Sequence, residues 1–243
     1  MDTILEVKNL SISFGGIRAV QNLSFSVEKG EILGLIGPNG SGKSTCINLI
    51  SGTCQQDSGS IWFGGKEISR HRSIGDRVRL GMGRTFQTPK PFGNMTVFEN
   101  VYTTALQHYD HRAAEVEALR VLGITRLLDN KNLISSKLPI EKRKWLDLAR
   151  VLINKPTFVM LDEVMAGLNP SEMQESIQLI QDVNATGVTF LFVEHVMKAV
   201  LQLCHRVMVI NHGQLLAAGK PADVLQQQEV IRAYIGGEKR AEH

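Results

Sequence analysis

The chain has 243 residues, 43% of them apolar, and carries 27 Lys and Arg against 24 Asp and Glu. That apolar content suffices for one large domain or a domain with a subdomain, and a net charge of +3 is too mild to imply nucleic acid as a partner. No apolar run is long enough to span a bilayer, since Glu194, His195 and Lys198 interrupt the best candidate at 188–204, and Met1-Asp2-Thr3 lacks the regions of a signal peptide, so the chain is expected to stay in the cytoplasm.

In chain order, residues 4–27 read as two strands joined at Phe14-Gly15-Gly16, with alternation clear in Leu23-Ser24-Phe25-Ser26-Val27. Phe14 either fills a strand position or lays its ring beside a nucleotide base. A turn at Glu28-Lys29-Gly30 leads to an apolar strand over 32–36, then to Gly37-Pro38-Asn39-Gly40-Ser41-Gly42-Lys43-Ser44-Thr45 and a helix-compatible run over 46–50. This is a P-loop between its strand and its helix. The glycines let backbone N–H groups curl around a phosphate chain where a Cβ would collide, and the helix turns its positive end toward the same anion. Lys43 then reaches the β and γ phosphates and Ser44 holds Mg²⁺.

Ser51-Gly52 closes the helix, and 59–68 reads as a hairpin turning at Gly64-Gly65. The segment 69–79 is rich in Arg and His (Arg70, His71, Arg72, Arg77, Arg79) and reads as a solvated face rather than an anion site. A short strand over 83–86 ends at Gln87, a polar side chain placed to sense a ligand at the start of the Pro-rich loop 88–93. Helical patterning begins at Thr96, an N-cap with Glu99 three residues on, and continues through Ala113, Val116, Leu119, Arg120 and Val121. His108 and His111 lack the carboxylates or thiols of a metal site. Ser135-Ser136-Lys137-Leu138-Pro139 starts a helix with a buried stripe of Trp145, Leu148, Ala149, Leu152 and Ile153. Cys46, Cys54 and Cys204 have no metal-site spacing and read as reduced, mostly buried thiols.

The second chemical stretch is Phe158-Val159-Met160-Leu161-Asp162-Glu163. Four apolar residues in a row suit a strand buried on both faces, with the carboxylates at its end. Beside a P-loop, Asp162 serves the Mg²⁺ shell and Glu163 polarises the water that attacks the γ-phosphate. Asn169-Pro170-Ser171-Glu172 reads as the N-cap and first turn of a helix to about residue 183. A strand over 188–193 ends in Glu194-His195, and the neighbouring P-loop and acidic strand favour a γ-phosphate contact for His195 over an ordinary surface role. Strands over 207–210 and 215–218 and two short helices over 221–234 follow, and 236–243 reads as a mobile tail.

With the P-loop, Gln87, Asp162-Glu163 and His195 in this order, nearly the whole chain resembles the ATP-binding subunit of an ABC transporter. Gly83-Arg84-Thr85-Phe86-Gln87, Thr96-Val97-Phe98-Glu99-Asn100-Val101, Ala166-Gly167-Leu168-Asn169-Pro170 and Val230-Ile231-Arg232-Ala233-Tyr234-Ile235-Gly236 resemble the branched-chain amino acid importer type. The resemblance implies an α/β fold with a mostly parallel sheet, an antiparallel β subdomain and a helical subdomain. It divides one ATPase domain into a core (1–95 and 156–235) and a helical part (96–155). It also implies ATP and Mg²⁺ as cofactors, with Ser44, Gln87 and Asp162 at the metal. Phe14 becomes the adenine-stacking residue, Gln87 the Q-loop residue, Glu163 the catalytic base, Asn169 the D-loop residue and His195 the switch histidine. The loop around Pro91 would face a coupling helix of a permease at the cytoplasmic side of the cell membrane, with a solute-binding protein as an indirect partner. The solute would be a branched-chain amino acid or a related small polar or amide compound.

One stretch departs from the family. Where the signature Leu-Ser-Gly-Gly-Gln belongs, the chain has Leu138-Pro139-Ile140-Glu141-Lys142. In such transporters each signature closes over the ATP held by the other subunit's P-loop. Pro139 supplies neither hydroxyl nor N–H, Ile140 adds bulk, and Glu141 is expected to bring negative charge toward a triphosphate, on the order of 4 kcal/mol per charge pair at about 4 Å before screening. Lys142 or Arg143 could offset part of this. The expectation is an asymmetric heterodimer in which a second ATPase subunit supplies the good signature. The competing reading is a nucleotide-gated regulatory module with little turnover.

Overall fold

Two glycines set the first turn. Gly15 and Gly16 both lie at positive φ, which suits a tight two-residue hairpin, and they join β1 (Thr3–Phe14) antiparallel to β2 (Ile17–Glu28). The computed structural model describes residues 2–68 and 73–238. Next come β3 (Ile32–Ile36), buried at every position, and α1 (Lys43–Ser51), which ends on Gly52 in the left-handed conformation. β4 (Ser58–Phe63) and β5 (Lys66–Glu67) then complete an antiparallel sheet in the order β2-β1-β4-β5.

α2 (Ile74–Arg79) starts from a reciprocal cap between Ser73 and Asp76. The expected solvated face holds for Arg79, which is exposed and pairs with Asp76, but not for Arg77, which is 2% exposed. Arg77 donates to the Leu49 and Ile50 carbonyls, so a cation sits at the negative end of the α1 dipole. Arg70, His71 and Arg72 lie outside the described residues.

After β6 (Met82–Arg84) come the helices α3 (Val97–Ala105), α4 (His111–Ile124) and α5 (Ile140–Leu152). α3 begins with the reciprocal Thr96–Glu99 cap. On α4 the buried stripe is Ala114, Ala118, Val121 and Leu122, and Val116 faces outward. On α5 and the residue after it, Trp145, Leu148, Ala149, Leu152 and Ile153 are all buried, and Trp145 Nε1 donates to Ser176 Oγ at 2.9 Å.

β7 (Phe158–Asp162), α6 (Pro170–Ala185), β8 (Thr189–Val193), α7 (Met197–Leu203), β9 (Arg206–Asn211) and β10 (Gln214–Gly219) follow, then α8 (Pro221–Val224) and α9 (Gln228–Glu238). α9 runs to Glu238, so the start of the expected tail is helical; 239–243 lie outside the described residues. The second sheet has the order β10-β9-β3-β8-β7-β6, parallel from β9 to β6 with β10 antiparallel at one edge. This is the expected α/β architecture.

One core lies between the antiparallel sheet, α1 and one face of the parallel sheet, and includes Leu5, Val7, Leu35, Ile47, Phe158 and Leu191. The other joins the opposite face to α3–α7, through Val101, Val121, Trp145, Val159, Ile180 and Phe192. β3, β7 and β8 are therefore buried along their whole length, and mostly apolar, because both faces are covered. Cys46 and Cys204 are buried thiols, pushed up to about 12 by desolvation. No described helix is long and apolar enough to cross a membrane.

The loop after Gln87 is anchored from inside. Asn100, fully buried on α3, accepts the Phe92 N–H at 2.8 Å and donates to the Phe92 and Thr96 carbonyls at 3.2 and 2.9 Å. Asn100→Ala leaves the Phe92 N–H unpaired and removes one of the bonds to each of the Phe92 and Thr96 carbonyls, which keep their backbone partners, and should lower stability by about 1–3 kcal/mol. Denaturant unfolding measures that loss. Limited proteolysis should then find new cleavage within 88–95, with ATP affinity unchanged.

Candidate functional site

The P-loop is shaped by close backbone approach. A Cβ on Gly37 would come within 2.1 Å of the Ile210 carbonyl oxygen, so the loop can turn there only as glycine. It leads to α1, whose N-cap Gly42 offers no side-chain cap and whose first turn holds no acidic residue. The first N–H groups of the helix are thus left for an external anion. They border a cavity of about 380 Å³ lined by Gly40–Thr45 together with Ile17, Arg18, Ala19, Gln21, His212 and Gly213. Ser41 Oγ, at the base of the loop, is buried with no hydrogen-bond partner among the described residues.

Lys43 folds back along the loop, donating to the Gly37 and Pro38 carbonyls at 2.7 and 3.0 Å. Burial lowers its pKa, and the carboxylates of Glu163 and Asp162 oppose that shift. Phe14 stands half exposed at the end of β1; from this hairpin it is Ile17, Arg18, Ala19 and Gln21 that line the cavity.

The parallel register brings the remaining residues together. Leu35 of β3 and Asp162 of β7 both pair with Val193 of β8, so the P-loop, Glu163 and His195 leave the sheet at one level. Glu163 adopts a left-handed backbone, φ 49°, while its N–H donates to the Val193 carbonyl at 2.9 Å. For a side chain with a Cβ this is a strained conformation, held by its surroundings. Gln87 Nε2 donates to Glu163 Oε2 at 2.6 Å, and His195 Nδ1 lies 3.9 Å from Glu163 Oε1. Gln87, Glu163 and His195 thus form one cluster.

Asp162 is 7% exposed and its Oδ2 lies 3.1 Å from Arg84 Nη2. Burial raises its pKa and the Arg84 guanidinium opposes the shift. Arg84 also donates to Asn48 Oδ1 and Ser51 Oγ on α1, at 2.8 and 3.1 Å, and lies over the Phe86 ring. It therefore ties the P-loop helix, the acidic strand and the Gln87 segment together. The sequence motif contained Arg84, but nothing local marks a partner 78 residues away.

Ser44, Asp162 and Gln87 line a second cleft, of about 830 Å³, which continues past Phe86 to Asp147 and Arg150 on α5. Asp147 Oδ2 accepts the Phe86 N–H at 3.2 Å and Arg150 donates to the Lys90 carbonyl at 3.0 Å, so α5 holds both sides of the Gln87 segment. Hydroxyl, carboxylate and amide oxygens are the donors a hard divalent cation takes, and the Ser44, Asp162 and Gln87 set fits Mg²⁺. His108 and His111 are engaged elsewhere, with Asn154 and Tyr102.

The 138–142 stretch differs from its expected electrostatics. Glu141 does not project as a free charge. It is 6% exposed, faces Glu172 and Glu175 of α6, and has Oε1 buried without a partner among the described residues. Burial first, then those two carboxylates, push it up to about 7 against the pull of Lys142. Lys142 donates to Asn130 Oδ1 at 2.9 Å, and Arg143 to the Leu138 and Ser136 carbonyls at 2.8 and 2.9 Å, so both cations are tied to their own subunit. Pro139, which caps α5 without a side-chain hydrogen bond, and Ile140 are left exposed.

Fold and site define a P-loop ATPase cassette. The ABC transporter family model matches residues 20–166, and the chain belongs to that family. Its relatives include the high-affinity branched-chain amino acid transport ATP-binding protein LivG of Salmonella typhimurium, 36% identical over 96% of this chain and 98% of that protein. The probable branched-chain amino acid transport ATP-binding protein LivG of Archaeoglobus fulgidus is 33% identical over 97% and 96%. Among solved structures, the ADP conformation of an ATP-binding cassette of an ABC transporter superposes with a TM-score of 0.88 at 30% identity, covering 97% of this chain and 100% of that one. The chain is an ATPase subunit of the kind that works with transmembrane permease components and couples ATP hydrolysis to transport.

The raised Glu141 pKa gives a signed prediction. The folded state holds this proton to about pH 7 while the unfolded chain releases it near the ordinary Glu value, so its contribution to stability is present at low pH and is lost as pH rises through about 7. Glu141→Gln should match the wild type in thermal unfolding at about pH 4, below the ordinary Glu value, and exceed it by a few degrees at about pH 8.

Proposed function

We propose that this chain powers import of a branched-chain amino acid or a related small polar or amide solute, from the cytoplasmic face of the cell membrane, as one half of an asymmetric ATPase heterodimer. The names of its relatives support the solute class, and the near-complete mutual coverage supports a like role. The Gln87–Glu163–His195 cluster beside the P-loop carries the reading of the chemistry.

In this reading Gly37, Pro38, Asn39, Gly40, Ser41, Gly42, Ser44 and Thr45 wrap the phosphates of ATP, with Phe14 beside the adenine. Lys43 leaves the loop carbonyls for the β and γ phosphates. Ser44, Gln87 and Asp162 would hold Mg²⁺, which would neutralise phosphate charge. Glu163 accepts the proton of the water whose oxygen bonds to the γ-phosphorus as the bond to ADP breaks, and His195 donates to a γ-phosphate oxygen. Gln87 already spans from the Pro91 loop to Glu163, so a permease pressing on that loop can move the base. Residues 1–95 and 156–235 act as the nucleotide-binding core and 96–155 as the helical arm.

Asymmetry follows from the 138–142 stretch. Pro139 and the exposed Ile140 offer the partner's ATP neither a hydroxyl nor a glycine backbone, while Lys142 and Arg143 are occupied. A second ATPase subunit with an intact signature then completes this chain's site, and the site completed by this chain mainly binds. The same features favour the alternative of a regulatory module, which turnover separates.

In the complex purified with its permease and second ATPase, Glu163→Gln should cut turnover by about 10²-fold or more, the size of a general-base contribution. The equivalent change in the second subunit should cost less than about threefold if its site contributes little. Equal losses would contradict the asymmetry. Wild-type turnover that is already negligible in the assembled complex would favour the regulatory module.

A further inference from the structure

The mechanism so far leaves a buried ion unused. Glu194 follows β8 directly and is fully buried. Its Oε1 accepts the Met165 N–H at 2.7 Å, and its Oε2 lies 3.3 Å from the His195 N–H, with the Val196 N–H also directed to the carboxylate. A carboxylate in such a place is stable only because several donors surround it. The donors come from the turn after Glu163 and from the backbone that carries His195.

The same turn is held from its other side. Lys144, 7% exposed on α5, donates its ammonium to the Ala166 carbonyl, and the carboxylates of Glu194 and Glu163 lie near enough to oppose the effect of burial on it. Burial raises the Glu194 pKa and its backbone donors oppose that shift; residues 165 and 166 are thus gripped by this carboxyl group after β8 and by the Lys144 ammonium on α5. Within the turn the chain's own bonds are long, Ala166 N to Glu163 O and Leu168 N to Met165 O both at 3.3 Å. Glu163 meanwhile keeps a left-handed backbone that local geometry disfavours, and such a conformation persists only where its surroundings over-determine it.

We propose that Glu194 and Lys144 are positioning residues that form one buried brace, fixing the backbone of Glu163 and the seat of His195 while touching neither nucleotide nor water. Because Lys144 lies one turn into the helix that begins at the signature stretch, the brace also links the surface facing the partner's nucleotide to this chain's own base. The proposal rests on Glu163 and His195 being catalytic.

Glu194→Gln keeps the volume but turns an amide N–H₂ toward backbone donors. Lys144→Met keeps the apolar stem without the ammonium. In the assembled transporter each should lower kcat by about tenfold or more, with KM for ATP and ATP affinity within twofold. Glu194→Asp, which keeps the charge on a shorter arm, should fall between Glu194→Gln and wild type. The double variant should be no slower than the worse single one, as expected for two parts of one device. Hydrogen exchange on the purified chain supplies a readout independent of turnover: peptides covering 163–168 should exchange about tenfold faster in either variant.

A kcat within twofold of wild type, unchanged exchange over 163–168, or losses that multiply in the double variant would each overturn the brace. Glu163→Gln, measured alongside, separates the two levels. If it abolishes turnover while the brace variants do not, only the brace is wrong; if it retains wild-type turnover, the catalytic reading fails and the brace falls with it.

Discussion

Parallel pairing of β3, β8 and β7 is the constraint on which the cleft depends. Leu35 and Asp162 share Val193 as a partner, and Ile36 pairs with Val209, so the ends of four neighbouring strands are level. The P-loop, Glu163, Glu194-His195 and the His212-Gly213 turn all start from that line. A slip of one residue in any pair would send its whole side-chain set to the opposite face, and both faces are packed apolar surface. The hydrophobic core thereby sets the distances of the chemistry, and Gln87, Glu163 and His195 need no covalent proximity to meet.

Around this line the buried charges are arranged so that each faces donors or acceptors from a distant part of the chain. Arg84 joins Asp162 to α1, Arg77 binds the last carbonyls of the same helix, Asp147 and Arg150 hold the Gln87 segment, and Glu194 and Lys144 grip the turn after Glu163. Burying such groups unpaired would cost several kcal/mol each, so losing one partner is felt through the network. Asp147, Arg150 and Lys144 carry these contacts across to α5, giving a movement of that helix a direct route to the backbone around Glu163.

Much of the architecture was legible because period and capping carry it. The apolar runs of β3, β7 and β8 announce strands covered on both faces, and Thr96–Glu99 and Asn169–Glu172 mark helix starts that the structure realises as reciprocal caps. α2 and α7 went unread, being too short for a helical period to emerge. The inward turn of Glu141, the burial of Arg77 and the Arg84–Asp162 pair were illegible for a different reason. A charged side chain's partner is chosen by tertiary packing, and composition predicts only that charges are usually exposed. The left-handed backbone of Glu163 is likewise invisible in a non-glycine residue. The residue types of the cleft could be read from the motifs, whereas the contacts that hold them could not.

The central claim is that this chain works opposite an unlike ATPase subunit, because its 138–142 stretch offers a proline cap, an exposed isoleucine and an inward-facing glutamate where a phosphate must be met. The most direct measurement is the subunit stoichiometry of the transporter purified intact from its native membrane through a tag on this chain, read by native mass spectrometry. The account predicts one copy of this chain with one copy of a second ATPase that carries a complete signature, together with the permease. Two copies of this chain with no second ATPase would contradict it.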